Sequence, residues 1–306
     1  MTDERPHVVV LAGGEGTRLG QLTRALYGSE VPKQFAVIAG ERSLLQQTID
    51  RALLLTAVER ISVVVSAHHE TRAREQLAPH PEIELVVQPL NLETGPGILL
   101  PLVRILARDL FARVIVLPSD HYIPNPGPLV DALRVNTLRR IALIGVASTG
   151  PEVEYGWIVP GPRIGPTNAF EVQRFEEKPA YPIADELWRH DGLWNTFISS
   201  APVLDYWALA RRYLPQHAEA FERYAASIGD GEEARVLASI YRTMTPASFS
   251  RDLLAHAQDL AVIPVTNTGW SDWGSPERVI TSLVGTPDHA ALLARIRGEC
   301  ASSAQS

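Results

Sequence analysis

The feature that most constrains this chain is an alternation, through its first half, between short β-branched runs and helical patterns. HVVVLA, ISVVVSA, IELVVQ and RVIVLP alternate with SLLQQTIDRALLLT, HETRAREQL and GILLPLVRILARDL. Strands separated by helices return in the same direction, so the pattern predicts a parallel sheet covered by helices. Val114 to Leu117 are apolar without a break, as in a strand buried on both faces. The first half is expected to be doubly wound.

After IALIGVAS the pattern changes. YGWIVPG, a Pro/Gly-rich GPRIGPTN and AFEVQRFEEKP read as two strands joined by a turn, an antiparallel insertion. Helical patterns return from about Pro202 to Thr243, followed by the strand DLAVIPV, the loop TNTGWSDWGS and two terminal helices. No internal repeat or low-complexity linker interrupts the chain. The expected fold is α/β, with a Rossmann-like mixed, mainly parallel sheet and helices on both faces. A length of 306 residues suits one large unit of this type. Residues 1–285 are expected to form it, with 286–306 as a C-terminal helix and polar tail.

Composition narrows the partners. The 35 acidic and 28 basic residues leave a formal charge of −7 without a basic stripe, so no nucleic-acid partner is expected. The start, MTDERPHVVVLAGG, lacks the long apolar core of a signal peptide. No apolar run approaches the roughly 20 residues that span a bilayer, so a cytoplasmic protein without a membrane partner is expected. Cys300, the single cysteine, stands in the tail GECASSAQS and reads as a surface residue. With one cysteine, neither an internal disulfide nor a cysteine metal cluster can form.

The chemistry concentrates at strand ends. The first strand runs into Leu11-Ala12-Gly13-Gly14-Glu15-Gly16-Thr17-Arg18-Leu19, where glycines let backbone amides approach a ligand closely, and a polyphosphate suits such a nest. Two familiar motifs fail: a dinucleotide fingerprint needs glycine at Leu19, and a P-loop needs Gly-Lys-Ser/Thr where Gly16-Thr17-Arg18 stands. Alone, the glycines read as a turn. Arg18 and Lys33, the latter in Val31-Pro32-Lys33-Gln34-Phe35, add two cations, each worth roughly 4 kcal/mol against a phosphate at an effective dielectric of about 20, before desolvation.

Asp120, in Pro118-Ser119-Asp120-His121, follows the apolar strand, where open α/β sheets bind ligands. It suits magnesium, which takes few carboxylates plus substrate phosphates. In isolation a turn-capping Asp is equally good. Asp272, in Gly269-Trp270-Ser271-Asp272-Trp273-Gly274-Ser275, offers a second carboxylate after a strand, while Ser275 suits the N-cap of the following helix. Glu177 and Lys178 close the strand of FEEKP and suit hydroxyls and a phosphate. Gln88, with the later Gly95, reads as a base contact or as a loop and helix start.

In order, LAGGEGTRL, PKQF, QPLNLETGPGILL, LPSDH, YGWIVPG, FEEKP, LWN and GWSDWGS resemble the sugar nucleotidyltransferases, and most closely the mannose-1-phosphate guanylyltransferases, over roughly residues 7 to 285. The resemblance implies a nucleotidyltransferase fold of the GT-A-like type, with residues 1–285 as its catalytic domain. It implies that Leu11, Ala12, Gly13, Gly14, Gly16 and Thr17, with Arg18 and Lys33, bind the triphosphate, and that Gln88 and Gly95 contact the base. Gly156, Glu177, Lys178 and Asn195 correspond to sugar-phosphate positions, Asp120 and Asp272 to magnesium ligands, and Arg18, Lys33 and Asp120 to the catalytic set. The implied reaction joins GMP from GTP to mannose 1-phosphate, forming GDP-mannose and pyrophosphate by in-line attack at the α-phosphate. The implied partners are GTP and a sugar 1-phosphate, with a homodimer as one assembly.

Departures fall on the sugar side and behind it. Gly20-Gln21 replaces the family's Trp-Pro, the glycine expected after WN is missing from Thr196-Phe197, and Ser248-Phe249-Ser250-Arg251 departs from Ser-Phe-Asp. Nucleotidyl transfer is therefore better supported than mannose. The alternatives are another sugar 1-phosphate, UTP or dTTP, a glycosyltransferase that consumes a nucleotide sugar, and a nucleotide-sugar-binding regulator without turnover.

Overall fold

The structure is a computed structural model that describes residues 5–298. Cys300 and most of the polar tail lie outside the described residues. In chain order the strands are β1 (His7–Leu11), β2 (Ile61–Ser66), β3 (Glu84–Gln88), β4 (Arg113–Pro118), β5 (Ile141–Ala147), β6 (Gly156–Arg163), β7 (Phe170–Glu177), β8 (Leu193–Pro202) and β9 (Leu260–Val265). They form one sheet in the order β3-β2-β1-β4-β8-β5-β9-β7-β6. The pairs β1/β2, β1/β4, β2/β3 and β5/β9 are parallel, whereas β8 is antiparallel to β4 and β5, and β7 is antiparallel to β6 and β9. All strands except β7 and β8 therefore point the same way, and the sheet is mixed but mainly parallel.

The helices are α1 (Gly20–Tyr27), α2 (Leu44–Leu53), α3 (Glu70–Leu77), α4 (Thr94–Arg108), α5 (Gly127–Arg134), α6 (Tyr181–Arg189), α7 (Val203–Tyr213), α8 (Pro215–Ala225), α9 (Glu233–Thr243), α10 (Pro276–Leu283) and α11 (Pro287–Arg297). Because successive strand side chains point to opposite faces, Val9 of β1 joins a core with Ile98 of α4, Tyr206 of α7 and Phe221 of α8, whereas Val8 and Val10 join one with Ile49 of α2, Ala73 of α3 and Leu129 of α5. Helices thus cover both faces.

Local signals place several boundaries. Ser43 and Gln46 close a capping box at the start of α2, and Ser275 accepts from the Arg278 amide to cap α10. The segment after β5 forms the expected antiparallel pair, β6 with β7. The buried Leu292 of the C-terminal helix α11 packs in a cluster with Leu19, Trp273 and Val279. Among the described residues, no helix is long and apolar enough to cross a membrane.

Candidate active site

At the carboxyl ends of β1 and β4 the strands are tied together, with the Ser119 amide and hydroxyl both donating to the Leu11 carbonyl, at 3.0 and 2.7 Å. A cavity of about 470 Å³ opens there, within the range of small-molecule sites. It brings together residues far apart in sequence: Leu11 at the end of β1 with Ala12, Gly13, Gly14, Gly16 and Arg18 from the loop that follows, Gln88 at the end of β3, Asp120 after β4, and Asp272 after β9. Gly156, Glu177, Lys178 and Asn195 line the same space.

The glycine loop is held by its carbonyls. Gln34 Nε2 donates to the carbonyls of Ala12 and Gly14 at 3.1 and 2.6 Å, and the Ser66 hydroxyl donates to that of Gly13 at 2.9 Å. Among the described residues no acceptor takes the amides of Gly13, Gly14 or Gly16, which leaves these donors for a ligand. Gly16 has φ 63°, and a Cβ there would lie 2.5 Å from the Lys33 backbone nitrogen. Only glycine fits that contact.

Lys33 is not where a solvent-facing cation would be. Its side chain is 4% exposed, with Nζ 3.0 Å from Asp120 Oδ2 and 2.5 Å from the Asp272 carbonyl oxygen it donates to. Burial disfavours the Asp120 anion, but Lys33, His121 and Arg18 outweigh it and hold its pKa down to about 2. Burial lowers the pKa of His121 against the opposing pull of Asp120. The Trp270 indole, a donor without acceptor capacity, donates to His121 Nδ1 at 3.2 Å. His121 Nε2 therefore carries the proton, 3.6 Å from Asp120 Oδ1.

Asp272 is fixed on one oxygen. Its Oδ1 accepts from the Tyr155 hydroxyl at 2.6 Å, the Gly274 amide at 2.8 Å and Arg278 at 2.9 Å. Burial opposes the anion here too, yet these donors with His121 lower the Asp272 pKa. The Tyr155 hydroxyl is pushed up, by burial first and then by Asp272. Arg278 is itself paired with Glu152. The second oxygen, Oδ2, has Arg18 at 3.6 Å. Arg18 is half exposed, lies 3.8 Å from Glu154 and lines the cavity.

These donors suit a hard divalent cation. Two anionic carboxylates line one cavity, each ionised at neutral pH, and Asp272 retains an oxygen without a hydrogen bond. Oxygen donors of this kind match magnesium rather than a soft metal.

On the other side, burial raises the Glu177 pKa despite the adjacent Lys178. Lys178 is exposed at φ 48°, and its amide donates to the Tyr155 carbonyl at 3.1 Å. Phe197, where the resemblance leads one to expect glycine, lines the cavity at φ 62°, a backbone that glycine adopts without strain.

Three expected site residues do not line the cavity. Thr17 follows the loop in a short turn, Lys33 lies beneath Asp120, and Gly95 packs so that its amide donates to the Ala247 carbonyl at 2.7 Å. Gly97, two residues on, lines the cavity beside Gln88 instead. Reasoning from sequence missed Gln34, Tyr155, Trp270 and Arg278. Gln34, Tyr155 and Trp270 lie inside the motifs PKQF, YGWIVPG and GWSDWGS, which is the available signal. Arg278 gave none.

Known proteins share this architecture. The family described as nucleotidyl transferase matches residues 7–284. A mannose-1-phosphate guanylyltransferase of Salmonella muenchen is 30% identical over 279 residues, covering 87% of this chain and 57% of the relative. The alginate biosynthesis protein AlgA of Pseudomonas syringae pv. tomato is 28% identical over 275 residues, covering 87% and 56%. The chain thus spans less than two thirds of the length of these curated relatives. A crystal structure described as a mannose-1-phosphate geranyltransferase from Thermus thermophilus superposes with a TM-score of 0.79 at 29% identity, covering 92% of this chain and 80% of that one.

Proposed function

The chain belongs to the nucleotidyl transferase family, and from that premise we propose that it transfers GMP from GTP to mannose 1-phosphate, giving GDP-mannose and pyrophosphate. The observation that carries this reading is a single cavity lined at once by the glycine loop, by Asp120 and Asp272, and by Gly156, Glu177, Lys178 and Asn195. Its relatives' names supply the base and the sugar.

In this reading the free amides of the loop and the Arg18 guanidinium receive the triphosphate, with Gln88 at the base. Lys178 receives the phosphate of the sugar, while Glu177 and Asn195 receive its hydroxyls. Asp120 and Asp272 would hold a magnesium ion, whose charge screens the repulsion between the two phosphates. Lys33 acts from beneath by keeping Asp120 ionised and placed. A sugar phosphate oxygen attacks the α-phosphate in line and pyrophosphate leaves, so the chain needs only to align and screen, without a nucleophile of its own.

A second reading, another sugar 1-phosphate, is favoured by Phe197, whose ring takes space where a glycine would leave it open. A cytoplasmic location, a homodimer and residues 1–285 as the catalytic unit belong to the same proposal. The test is a matrix of GTP, ATP, UTP and dTTP against mannose, glucose and galactose 1-phosphates, read by pyrophosphate release. GTP with mannose 1-phosphate should give the highest kcat/KM. Equal kcat/KM for all four triphosphates would remove the guanylyl assignment, and preference for another sugar would install the second reading.

A further inference from the structure

Glu15, the one charged residue between the loop glycines, is not among the residues that line the cavity with Asp120 and Asp272, and its carboxylate lies beside two histidines that follow β2. His68 Nε2 lies 3.1 Å from Glu15 Oε2, and His69 Nε2 lies 3.9 Å from the same oxygen. One donor atom from each of the three residues lies within 4.8 Å of the others. Asn91 donates to the opposite oxygen, Oε1, at 3.3 Å, so Oε2 is left for the histidine side.

The second observation is His69 itself. The residue is 7% exposed, and its Nε2 is buried without a hydrogen-bond partner. Unsatisfied buried polar atoms are exceptions that call for a cause. Glu15 is too far away to satisfy this one directly, yet a ligand seated between them would bond to both.

We propose that Glu15, His68 and His69 form a binding site for a borderline divalent cation such as zinc, separate from Asp120 and Asp272, on the outer flank of the glycine loop. Two imidazoles and a carboxylate suit zinc, cobalt or nickel better than magnesium, which favours oxygen. Bonds of about 2.0–2.2 Å place the ligands of a tetrahedral ion roughly 3.3 Å apart, so the cluster closes by small movements of Glu15 and His68, both exposed. Three protein ligands leave the fourth position to water or a phosphate oxygen. Since Glu15 sits between Gly14 and Gly16, a bound ion ties the loop to the segment after β2.

The test uses the full chain, stripped with a chelator and without substrates, so it stands or falls independently of the transfer reaction. Zinc is titrated calorimetrically in excess magnesium, and cobalt by its visible absorption. One zinc per chain is expected, not displaced by magnesium, with a cobalt spectrum of tetrahedral intensity. Glu15→Gln and His68→Ala, at exposed positions, should each weaken binding by about 100-fold or more, beyond the effect of losing an outer-shell partner. Absence of stoichiometric binding, displacement by magnesium, or affinity retained in either variant would overturn the site.

Discussion

The ammonium of Lys33 lies 3.0 Å from Asp120 Oδ2 and donates to the Asp272 carbonyl at 2.5 Å. A single buried cation thereby joins the carboxylate of the strand-end aspartate of the first half to the backbone of the loop that follows the last strand, while the Asp272 carboxylate is held separately by Tyr155, Gly274 and Arg278.

Removing that cation tests the arrangement through pH. Asp120 has its pKa depressed from 3.8 to about 2, so the stability it contributes is present above the unfolded value and lost as pH falls from about 4 toward 2. Lys33→Met should cost about 1–3 kcal/mol at neutral pH, less than a fully buried pair because Asp120 is partly exposed. It should also flatten the loss of stability on acidification. Urea midpoints across that pH series measure both effects, and an unchanged acid slope would show that Lys33 does not hold Asp120.

Gly16→Ala is predicted to disable the loop. The left-handed backbone and a Cβ 2.5 Å from the Lys33 nitrogen together should cost about 2 kcal/mol or more. GTP affinity, followed by titration with a fluorescent analogue, should fall at least about tenfold, equivalent to roughly 1.4 kcal/mol. A variant with wild-type Tm and affinity would contradict the close packing of the loop on Lys33.

Lys178→Ala should separate the two substrates. An ammonium bonded to a phosphate contributes about 1.5–3 kcal/mol, so KM for the sugar phosphate should rise by roughly 10- to 100-fold with GTP binding unchanged. Equal effects on both substrates would move Lys178 off the sugar side.

Asp120→Asn and Asp272→Asn should each cut kcat sharply, and the double variant should lose much less than the product of the two, because residues serving one ion act as a unit. GTP binding through the loop should survive in part. Magnesium dependence left intact in either single variant would end the shared-ion reading.

How far the sequence shows all this depends on where a residue's partners lie. Val114 to Val116 are legible as strand because burial on both faces makes every position apolar. The strand β8 is not, because Asn195, Thr196, Ser199 and Ser200 are buried yet polar; Thr196 bonds the Ile144 carbonyl and Ser199 accepts from Tyr206, so a polar run conceals a central strand. The loop glycines, Asp120, Asp272 and Lys178 stand in short contiguous motifs, so the sequence singles them out as candidates, and they line one cavity. The inward turn of Lys33, the clamp of Tyr155 and Arg278 on Asp272, and the brace of Gln34 under the loop depend on contacts made only by folding. Phe197 is intermediate, as its sequence departs from the glycine pattern while its backbone keeps the glycine conformation.

In the proposed reaction the bond between the α- and β-phosphates breaks and the sugar phosphate oxygen takes the α-phosphate. GTP labelled at its α-phosphorus, incubated with mannose 1-phosphate, magnesium and the protein, tests this directly. The label should appear in a GDP-sugar, with unlabelled pyrophosphate released in equal amount. Label retained in GDP alongside inorganic phosphate, or label never leaving GTP with any sugar 1-phosphate, would contradict it.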